Sequence, residues 1–396
     1  MLGSEVGGGQ TPAMQFSPRT ADLSHSPIGA AFQMLGERTN DRPLLDLSQA
    51  APAFPPAPVV ADRIAAAALE GDTGRYAPQP GLPALREAMA SDLNLGYGSS
   101  LTADNVQITG GCNQAFCIVA SAIAGPGDSV ILVAPFYFNH DMWLKVEGVE
   151  VRIVQPGPDL VPDIGAAAAL IDDTTRAIVL VTPGNPTGVT IPPEVIGAFG
   201  ELASDNNMAL VIDETYRSFR GTDEPAHGLF DESAWEDTVV SLHSFSKDLA
   251  IPGYRVGAVI GGHGVLTEAL KVMDCLAISA PRIGQEAAIA GLLHAREWRA
   301  EQVARIGELE QQFLSAMRSR PGGLEVVSSG AYFGWVRHSH GPTADVVRRL
   351  LLDHDVLVIP GTAFTETDES MLRMSFANLR PEQITELPSR LNELSF

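Results

Sequence analysis

A lysine flanked by small hydroxyl residues is the strongest candidate for chemistry in the sequence. Lys247 ends the run SFSK at 244–247, directly after an apolar segment, and Arg255 follows eight positions later within a glycine-bearing turn, PGYR at 252–255. A lysine in a loop is usually just a solvated cation. An apolar segment before the lysine and an arginine soon after it favour a functional group instead.

Two further loops follow apolar segments and carry polar residues. Asp213 ends the segment LVID at 210–213, and Asn185 lies in the loop TPGNPTG at 182–188. An acid at the carboxyl end of a parallel strand lies where open α/β sheets bind ligands. From the residues alone, two alternatives stay open: Asp213 could cap a helix, and the loop around Asn185 could be a simple turn.

A pair of glycines joins an apolar segment to a helix in TGGCNQA at 109–115. Glycines there allow backbone amides to approach an anion at the helix N-terminus, where the helix dipole favours negative charge. The run is neither a Walker A motif nor GxGxxG, so nucleotide binding has no support. We therefore expect a site for a different anion in this turn.

The elements that must position these residues follow an α/β pattern. Apolar strands that alternate with helices are typical of a mostly parallel sheet covered on both faces. The predicted strands are 106–108, 129–133, 177–181, 208–212, 239–242 and 256–260, with helices at 113–124 and 193–205. From about residue 297, a charged amphipathic stretch followed by strands and helices indicates a second, smaller α+β domain.

We predict three regions in the chain. Residues 56–295 form the large domain, and residues 29–55 join residues 296–396 in the small one. Residues 1–28 are rich in Gly, Ser and Pro without a sustained period, so we expect them to form a flexible arm.

The composition indicates a globular protein and excludes several classes of partner. Of the 396 residues, 45% are apolar and 19% are charged, and 26 Lys and Arg against 48 Asp and Glu give a net charge of −22. Such an acidic chain repels phosphate backbones and anionic membranes, so we expect no nucleic-acid or membrane partner. The sequence also lacks an apolar run of about 18 residues that could span a bilayer.

The N-terminus and the cysteines favour a cytoplasmic location. The start, MLGSEVGGGQTP, has neither the basic residues nor the apolar core of a secretory signal. Cys112, Cys117 and Cys275 form no CxxC pair and cannot build a disulfide framework. Cys112 and Cys117 are better explained as small buried apolar residues than as a redox pair.

Taken together and in this order, the motifs resemble those of the class I/II pyridoxal-phosphate-dependent aminotransferases, the aspartate aminotransferase superfamily of fold type I. The resemblance runs from Leu45 to Asn378. It rests on the segments Tyr76–Arg86, Gly110–Ala115, Thr182–Gly188, Asp213–Tyr216, Ser244–Arg255 and Arg373–Asn378. It implies a large, mostly parallel α/β sheet domain that binds pyridoxal 5'-phosphate and a smaller α+β domain.

The resemblance implies a role for each residue near the cofactor ring. Lys247 would form the Schiff base and then move a proton between the substrate Cα and the cofactor. Asp213 would keep the pyridine nitrogen protonated, so that the ring accepts electrons. Asn185 and Tyr216 would donate to the phenolic oxygen, and Tyr137 would stack on the ring.

The phosphate would be held without a metal. The groups implied are the backbone amides of Gly111, Cys112 and Asn113, the hydroxyls of Ser244 and Ser246, and the guanidinium of Arg255. In the family, a tyrosine of the other subunit also reaches the phosphate, and Tyr76 fits that position. The active site would then be shared in a homodimer. His140, three residues after Tyr137, would support Asp213 or serve only the packing.

The substrate contacts that the resemblance implies favour a neutral or aromatic amino donor. Arg373 would bind the substrate α-carboxylate beside Asn185, and Ala50 replaces a glycine that many relatives have at the substrate wall. A dicarboxylate donor needs a second cation, because an unpaired buried charge is costly. Asn113 stands where one branch of the family has a lysine, and Arg282 is the nearest cation to the segment 274–281.

The expected activity is transfer of an amino group from an L-amino acid to a 2-oxo acid. A carbon–sulfur β-lyase, or another eliminating or oxidising relative, shares nearly all the cofactor contacts and is the alternative. A transcription regulator with an aminotransferase-like domain is disfavoured. It needs an additional, usually basic, DNA-binding domain of about 60 residues, and the segment before Leu45 shows no helix-turn-helix pattern.

Overall fold

The structure is a computed structural model that describes residues 14–21, 23, 25–222, 224–365, 369–392 and 394. Its helices are α1 (Pro18–Ala21), α2 (Pro27–Leu35), α3 (Pro58–Leu69), α4 (Pro83–Tyr97), α5 (Cys112–Ile123), α6 (Phe138–Glu147), α7 (Ile164–Ala168), α8 (Pro193–Asp205), α9 (Phe245–Asp248), α10 (His263–Ala277), α11 (Arg282–His294), α12 (Arg296–Met317), α13 (Thr343–His354) and α14 (Pro381–Asn392). Its strands are β1 (Leu45–Asp46), β2 (Val106–Thr109), β3 (Ser129–Val133), β4 (Glu150–Val154), β5 (Thr175–Val181), β6 (Ala209–Asp213), β7 (Val239–Ser244), β8 (Gly257–Ile260), β9 (Glu325–Gly330), β10 (Phe333–Arg337), β11 (Val356–Leu357), β12 (Ile359–Pro360) and β13 (Met371–Met374).

A seven-stranded sheet forms the centre of the fold, in the order β2-β8-β7-β6-β5-β3-β4. The pairs from β7 to β4 are parallel, and β8 runs antiparallel to both of its neighbours. The inner strands are apolar almost throughout because helices cover both faces of the sheet. The predicted α/β fold with a mostly parallel sheet is confirmed.

Each segment predicted as a strand forms part of this sheet, with ends that differ by at most two residues. The sequence reasoning missed β4. This edge strand carries Glu150 and Arg152, whose side chains form an ion pair of 2.9 Å at the surface. An edge strand faces solvent on one side, so it lacks the continuous apolar run that identifies the inner strands.

A second sheet and its helices lie in the C-terminal part of the chain. Strands β12-β13-β10-β9 form an antiparallel sheet, and β1 pairs in parallel with β11. Leu45 and Leu47 therefore join the apolar core of this region, together with residues between Ile306 and Leu394. The core around the seven-stranded sheet draws its residues from Ala57 to Ala295. The division at 55/56 and 295/296 remains a prediction.

The predicted arm lies partly outside the described residues, which omit 1–13, 22 and 24. Helices α1 and α2 begin within it, at Pro18 and Pro27. In the part of the chain that the structure describes, no helix is long and apolar enough to cross a membrane.

The strand ends gather the candidate residues at one edge of the central sheet. Val181, the last residue of β5, is in register with Asp213, the last residue of β6. Ser244 at the end of β7 and Thr109 at the end of β2 both face Gly257 at the start of β8. The loops after four strands therefore meet at this edge.

Candidate active site

A cavity of about 280 Å³ opens at this edge of the sheet. Most of the residues predicted from the sequence line it. They are Ala50, Cys112, Asn113, Tyr137, Asn185, Asp213, Tyr216, Ser244, Ser246, Lys247, Arg255 and Arg373. Among the described residues, no group of His, Cys, Asp and Glu could hold a metal ion.

Lys247 lies in α9, a single helical turn directly after β7. Ser244 caps this turn, because its hydroxyl accepts a hydrogen bond of 3.2 Å from the amide of Ser246. The Lys247 Nζ donates to the carbonyl of Ala50. Burial, helped by the positive charges of Arg373 and Arg255, lowers the pKa of Lys247 to about 8. A substantial share of this amine is therefore neutral near pH 8, the form that attacks electrophiles and accepts protons.

Asp213 is a buried carboxylate with donors on both oxygens. His140 Nε2 lies 3.3 Å from Oδ2, while the amide of Thr215 and the thiol of Cys112 lie 3.0 and 3.4 Å from Oδ1. Burial by itself raises the pKa of Asp213, but the bonds from His140 and Thr215 outweigh it and hold the pKa below its ordinary value. The structure thus presents a buried anion to the cavity, with His140 directly behind it.

Gly111 and Arg255 form a close-packed cradle at the start of α5. Gly111 has φ +96°, and a Cβ there would lie 2.5 Å from Arg255 Nη2. A Cβ on Gly257 would lie 2.8 Å from the amide nitrogen of Cys112. Only glycine fits at either position. With glycine at both, the Arg255 guanidinium lies close to the N-terminus of α5, a 12-residue helix whose first turn has no acidic residue. This cationic cradle suits a phosphate group.

Arg373 lies in β13, and only 2% of its surface is exposed. Its guanidinium is held by neutral groups: Nη1 donates to Asn185 Oδ1 at 2.9 Å, and Nη2 donates to the carbonyl of Ser48. The rings of Phe333 and Phe364 flank it, each 5.1 Å away. Burial lowers the pKa of Arg373 to about 10, which still leaves it charged at neutral pH. A buried cation held by neutral groups suits an anionic ligand such as a carboxylate.

Two tyrosines at the cavity remain protonated hydrogen-bond donors. The Tyr137 hydroxyl donates to Asn113 Oδ1 at 3.3 Å, and burial raises its pKa to about 12. Burial also raises the pKa of Tyr216 well above its ordinary value. The ring of Tyr216 packs against Tyr332, with ring centroids 5.4 Å apart.

Gly111 and Tyr76, both predicted to hold the phosphate, do not line this cavity. Gly111 contributes the backbone of the cradle instead. The Tyr76 side chain is 74% exposed and lies on a neighbouring cavity of about 790 Å³. That second cavity also contains Arg282 and borders the cradle at Gly110 and Gln114.

Sequence reasoning missed several lining residues. They are Ile28, Gln49, Ala51, Phe138, Val181, Thr215 and Pro252. Ile28 is the most informative, because it belongs to α2 and was predicted to lie in the arm. Pro27 before the apolar run IGAAF was a signal for the start of a helix.

Comparison with known proteins places the chain among enzymes of one family. The family model for aminotransferase class I and II matches residues 42–391. An aromatic aminotransferase of Arabidopsis thaliana, ISS1, is 29% identical over 95% of each chain. An aspartate aminotransferase of Pyrococcus horikoshii is 29% identical over 82% of this chain and 84% of its own.

A solved structure agrees with these relatives. An aspartate aminotransferase of Thermus thermophilus, as a single mutant, superposes with a TM-score of 0.88 and 26% identity. The match covers 96% of this chain and 99% of the Thermus chain.

Proposed function

The chain belongs to the class I and II aminotransferases, whose members use pyridoxal phosphate, and we propose that it moves an amino group from a neutral or aromatic L-amino acid to a 2-oxo acid. One observation carries the proposal. A half-buried lysine of lowered pKa, a buried carboxylate and a buried arginine line the same cavity: Lys247, Asp213 and Arg373.

The residues present fit the cofactor. When bound, pyridoxal phosphate supplies an aldehyde that condenses with amines and a ring that takes up electrons from the substrate Cα. Its phosphate would lie in the cradle of Gly111 and Arg255, close to Ser244. The other groups that would hold it are the amides of Cys112 and Asn113, the hydroxyls of Ser246 and Tyr216, the carboxylate of Asp213, the amide of Asn185 and the ring of Tyr137.

In the proposed reaction, three side chains handle charge and protons. The Asp213 carboxylate would hold a proton on the cofactor ring nitrogen, because a buried anion favours a cation beside it. Arg373 binds the substrate carboxylate with a guanidinium that Asn185 already orients. Lys247, as a neutral amine, would take the proton from the substrate Cα and pass it to the cofactor, which requires a pKa near the working pH.

The preference for a neutral or aromatic donor is supported by the lining of the cavity. Its cations are Lys247, Arg255 and Arg373, and each already has a role in the proposal. Asn113, at the position where a lysine would serve a dicarboxylate, is neutral. Ile28 and Phe138 add apolar walls. The names of the relatives include both aromatic and aspartate aminotransferases, so donor specificity has to be measured on this chain.

A homodimer with shared sites, in the cytoplasm, completes the proposal. Tyr76 is exposed and lines a cavity together with Ala277 and Ser279, and their chain neighbours Leu276 and Ile278 are 51% and 40% exposed. Exposed apolar side chains beside an open cavity are typical of a surface that a partner covers. A second copy of the chain bound to this surface would place its own Tyr76 near the phosphate cradle of the first copy.

Lysine labelling tests the proposal directly. The chain has only three lysines, Lys145, Lys247 and Lys271, so borohydride reduction of the cofactor-loaded enzyme followed by peptide mapping gives an unambiguous site. We expect the pyridoxyl label on Lys247. Lys247→Ala should abolish turnover yet still bind cofactor without a covalent bond, and Lys271→Ala on the exposed face of α10 is the matched control. A label on another lysine would refute the assignment.

Product analysis separates transfer from elimination. A transaminase releases a 2-oxo acid in proportion to the amino acid formed from the acceptor. Release of ammonia and pyruvate without an acceptor would instead identify a β-lyase on the same site.

A further inference from the structure

Two arginines and two aspartates form a nearly buried ion cluster. Arg299 bridges both acids, with Nη2 2.6 Å from Asp248 Oδ2 and Nη1 2.7 Å from Asp92 Oδ1. The Arg217 guanidinium also donates to Asp92. The exposed fractions of the four side chains lie between 11% and 19%. The charges cancel within the cluster, so each member depends on the others for compensation.

The cluster connects the two turns that carry proposed catalytic residues. Asp248 directly follows Lys247 in α9, and Arg217 directly follows Tyr216 after β6. A side chain anchored one residue away restricts the backbone of both turns. Arg299, in the first turn of α12, is the member that reaches across to the C-terminal part of the chain.

A second contact holds the same turn from the same side. The Tyr332 hydroxyl donates to the carbonyl of Lys247 at 3.4 Å, and its ring packs against Tyr216. Tyr332 belongs to the C-terminal core, and Trp298, next to Arg299, packs against both apolar cores. The lysine turn is thus held by the C-terminal part of the chain, which also carries Arg373 in β13.

We infer that Arg299 is a positioning residue that keeps the turns of Lys247 and Tyr216 in register with α12. The inference rests on the proposed function, which assigns the chemistry to those two residues. A guanidinium fork can bind two carboxylates at once, which an ammonium cannot do in the same geometry. Without the fork, Arg217 still pairs with Asp92, but Asp248 loses the ion pair with Arg299, and its buried charge favours movement of its turn towards water.

The first readout is the protonation of Lys247 in the full-length chain before cofactor is added. Acetylation of Lys247, followed by mass spectrometry across pH, reports the pKa of its amine. Burial and the charges of Arg373 and Arg255 hold that pKa at about 8. If the turn opens to water in Arg299→Met, the pKa rises towards the ordinary lysine value of about 10.4. The pH midpoint of acetylation is compared, and not its rate, because an open turn also raises the rate by admitting the reagent more easily.

The second readout is the kinetics of the cofactor-loaded enzyme. Misplacing the amine by about 1 Å should lower kcat on the order of 10²-fold. KM for the amino donor should stay within about threefold, because Arg373 and its contacts are untouched. Arg299→Lys keeps the charge but reaches one carboxylate at a time, so both readouts should fall between wild type and Arg299→Met.

A stability-matched control separates positioning from general damage. Asp355→Asn breaks a buried ion pair with Arg38, 2.5 Å long, in the C-terminal region away from the cavity. It should lower the melting temperature without moving the Lys247 profile or kcat. If Arg299→Met fails to fold, Asp248→Asn keeps the volume of the side chain and should shift the profile in the same direction.

The outcomes distinguish this inference from the proposed function. Suppose that Arg299→Met and Asp355→Asn lose the same stability, and that neither variant changes kcat or the pH profile of Lys247 acetylation. Arg299 then has no positioning role. If Lys247→Ala remains active, the proposed function fails, whatever Arg299 does.

Discussion

Replacing Gly111 with alanine should weaken cofactor binding in addition to straining the fold. The backbone of Gly111 has φ +96°, which L side chains rarely adopt, and the added Cβ would lie 2.5 Å from Arg255 Nη2 and 3.0 Å from its Cζ. Two costs follow. Strain in such a conformation is about 1–3 kcal/mol, and the guanidinium has to leave its place in the cradle.

The displacement of Arg255 sets the size of the effect on binding. A hydrogen bond to a charged group contributes about 1.5–3 kcal/mol, and the phosphate would lose such bonds from the displaced guanidinium. Since about 1.4 kcal/mol is a factor of ten, the Kd for pyridoxal phosphate should rise roughly 10- to 10²-fold. With cofactor at saturation, kcat should change much less, because Asp213 and Lys247 do not contact Gly111.

Equilibrium titration of the cofactor-free protein with pyridoxal phosphate measures this Kd. Gly98→Ala is the matched control: Gly98 has φ +72° at the end of α4, and nothing lies within 4 Å of its added Cβ. It imposes backbone strain of about 1–2 kcal/mol without the clash, so it should lower stability and leave the Kd unchanged. If the two variants bind the cofactor within about twofold of each other, Arg255 does not hold the phosphate.

Three further measurements test the remaining assignments. Asp213→Asn should lower kcat by about three orders of magnitude or more and cofactor affinity by less than about tenfold, because the carboxylate serves the ring proton more than binding; a kcat within about tenfold of wild type contradicts this role. Mixing inactive Lys247→Ala with weakened Tyr76→Phe should create hybrid dimers in which one site carries both substitutions and the other carries neither. We expect the mixture to be more active than either parent, and no gain in activity refutes a shared site. In a panel of amino donors, neutral or aromatic ones should have the highest kcat/KM. If the kcat/KM of aspartate exceeds them all by more than about tenfold, the preference is wrong, and Arg282→Met should then abolish the advantage of aspartate.

The sequence predicted the parts of the site whose signal is local. Asp213 and Lys247 come at or just after the ends of apolar strands, and parallel strands place such ends at one edge of the sheet. The edge strand β4 was missed because its surface ion pair breaks the apolar pattern. Ile28 was missed because the residues before it are rich in Gly and Pro, as in a loop. The helix that begins there, α2, has only nine residues and gives a weak periodic signal.

The ion cluster of Arg299 shows what local patterns cannot contain. Its members come from α4, α9, α12 and the turn after β6, and each has the charge of an ordinary solvated side chain on an amphipathic element. Their partners are set by how these separate elements pack together, which no window of sequence describes. Lys247 and Tyr216 are recognisable from the residues around them, whereas the accuracy of their placement depends on an arginine that is 52 residues beyond the lysine. Transferring the motif to another scaffold would therefore transfer the reactive groups without the contacts that align them.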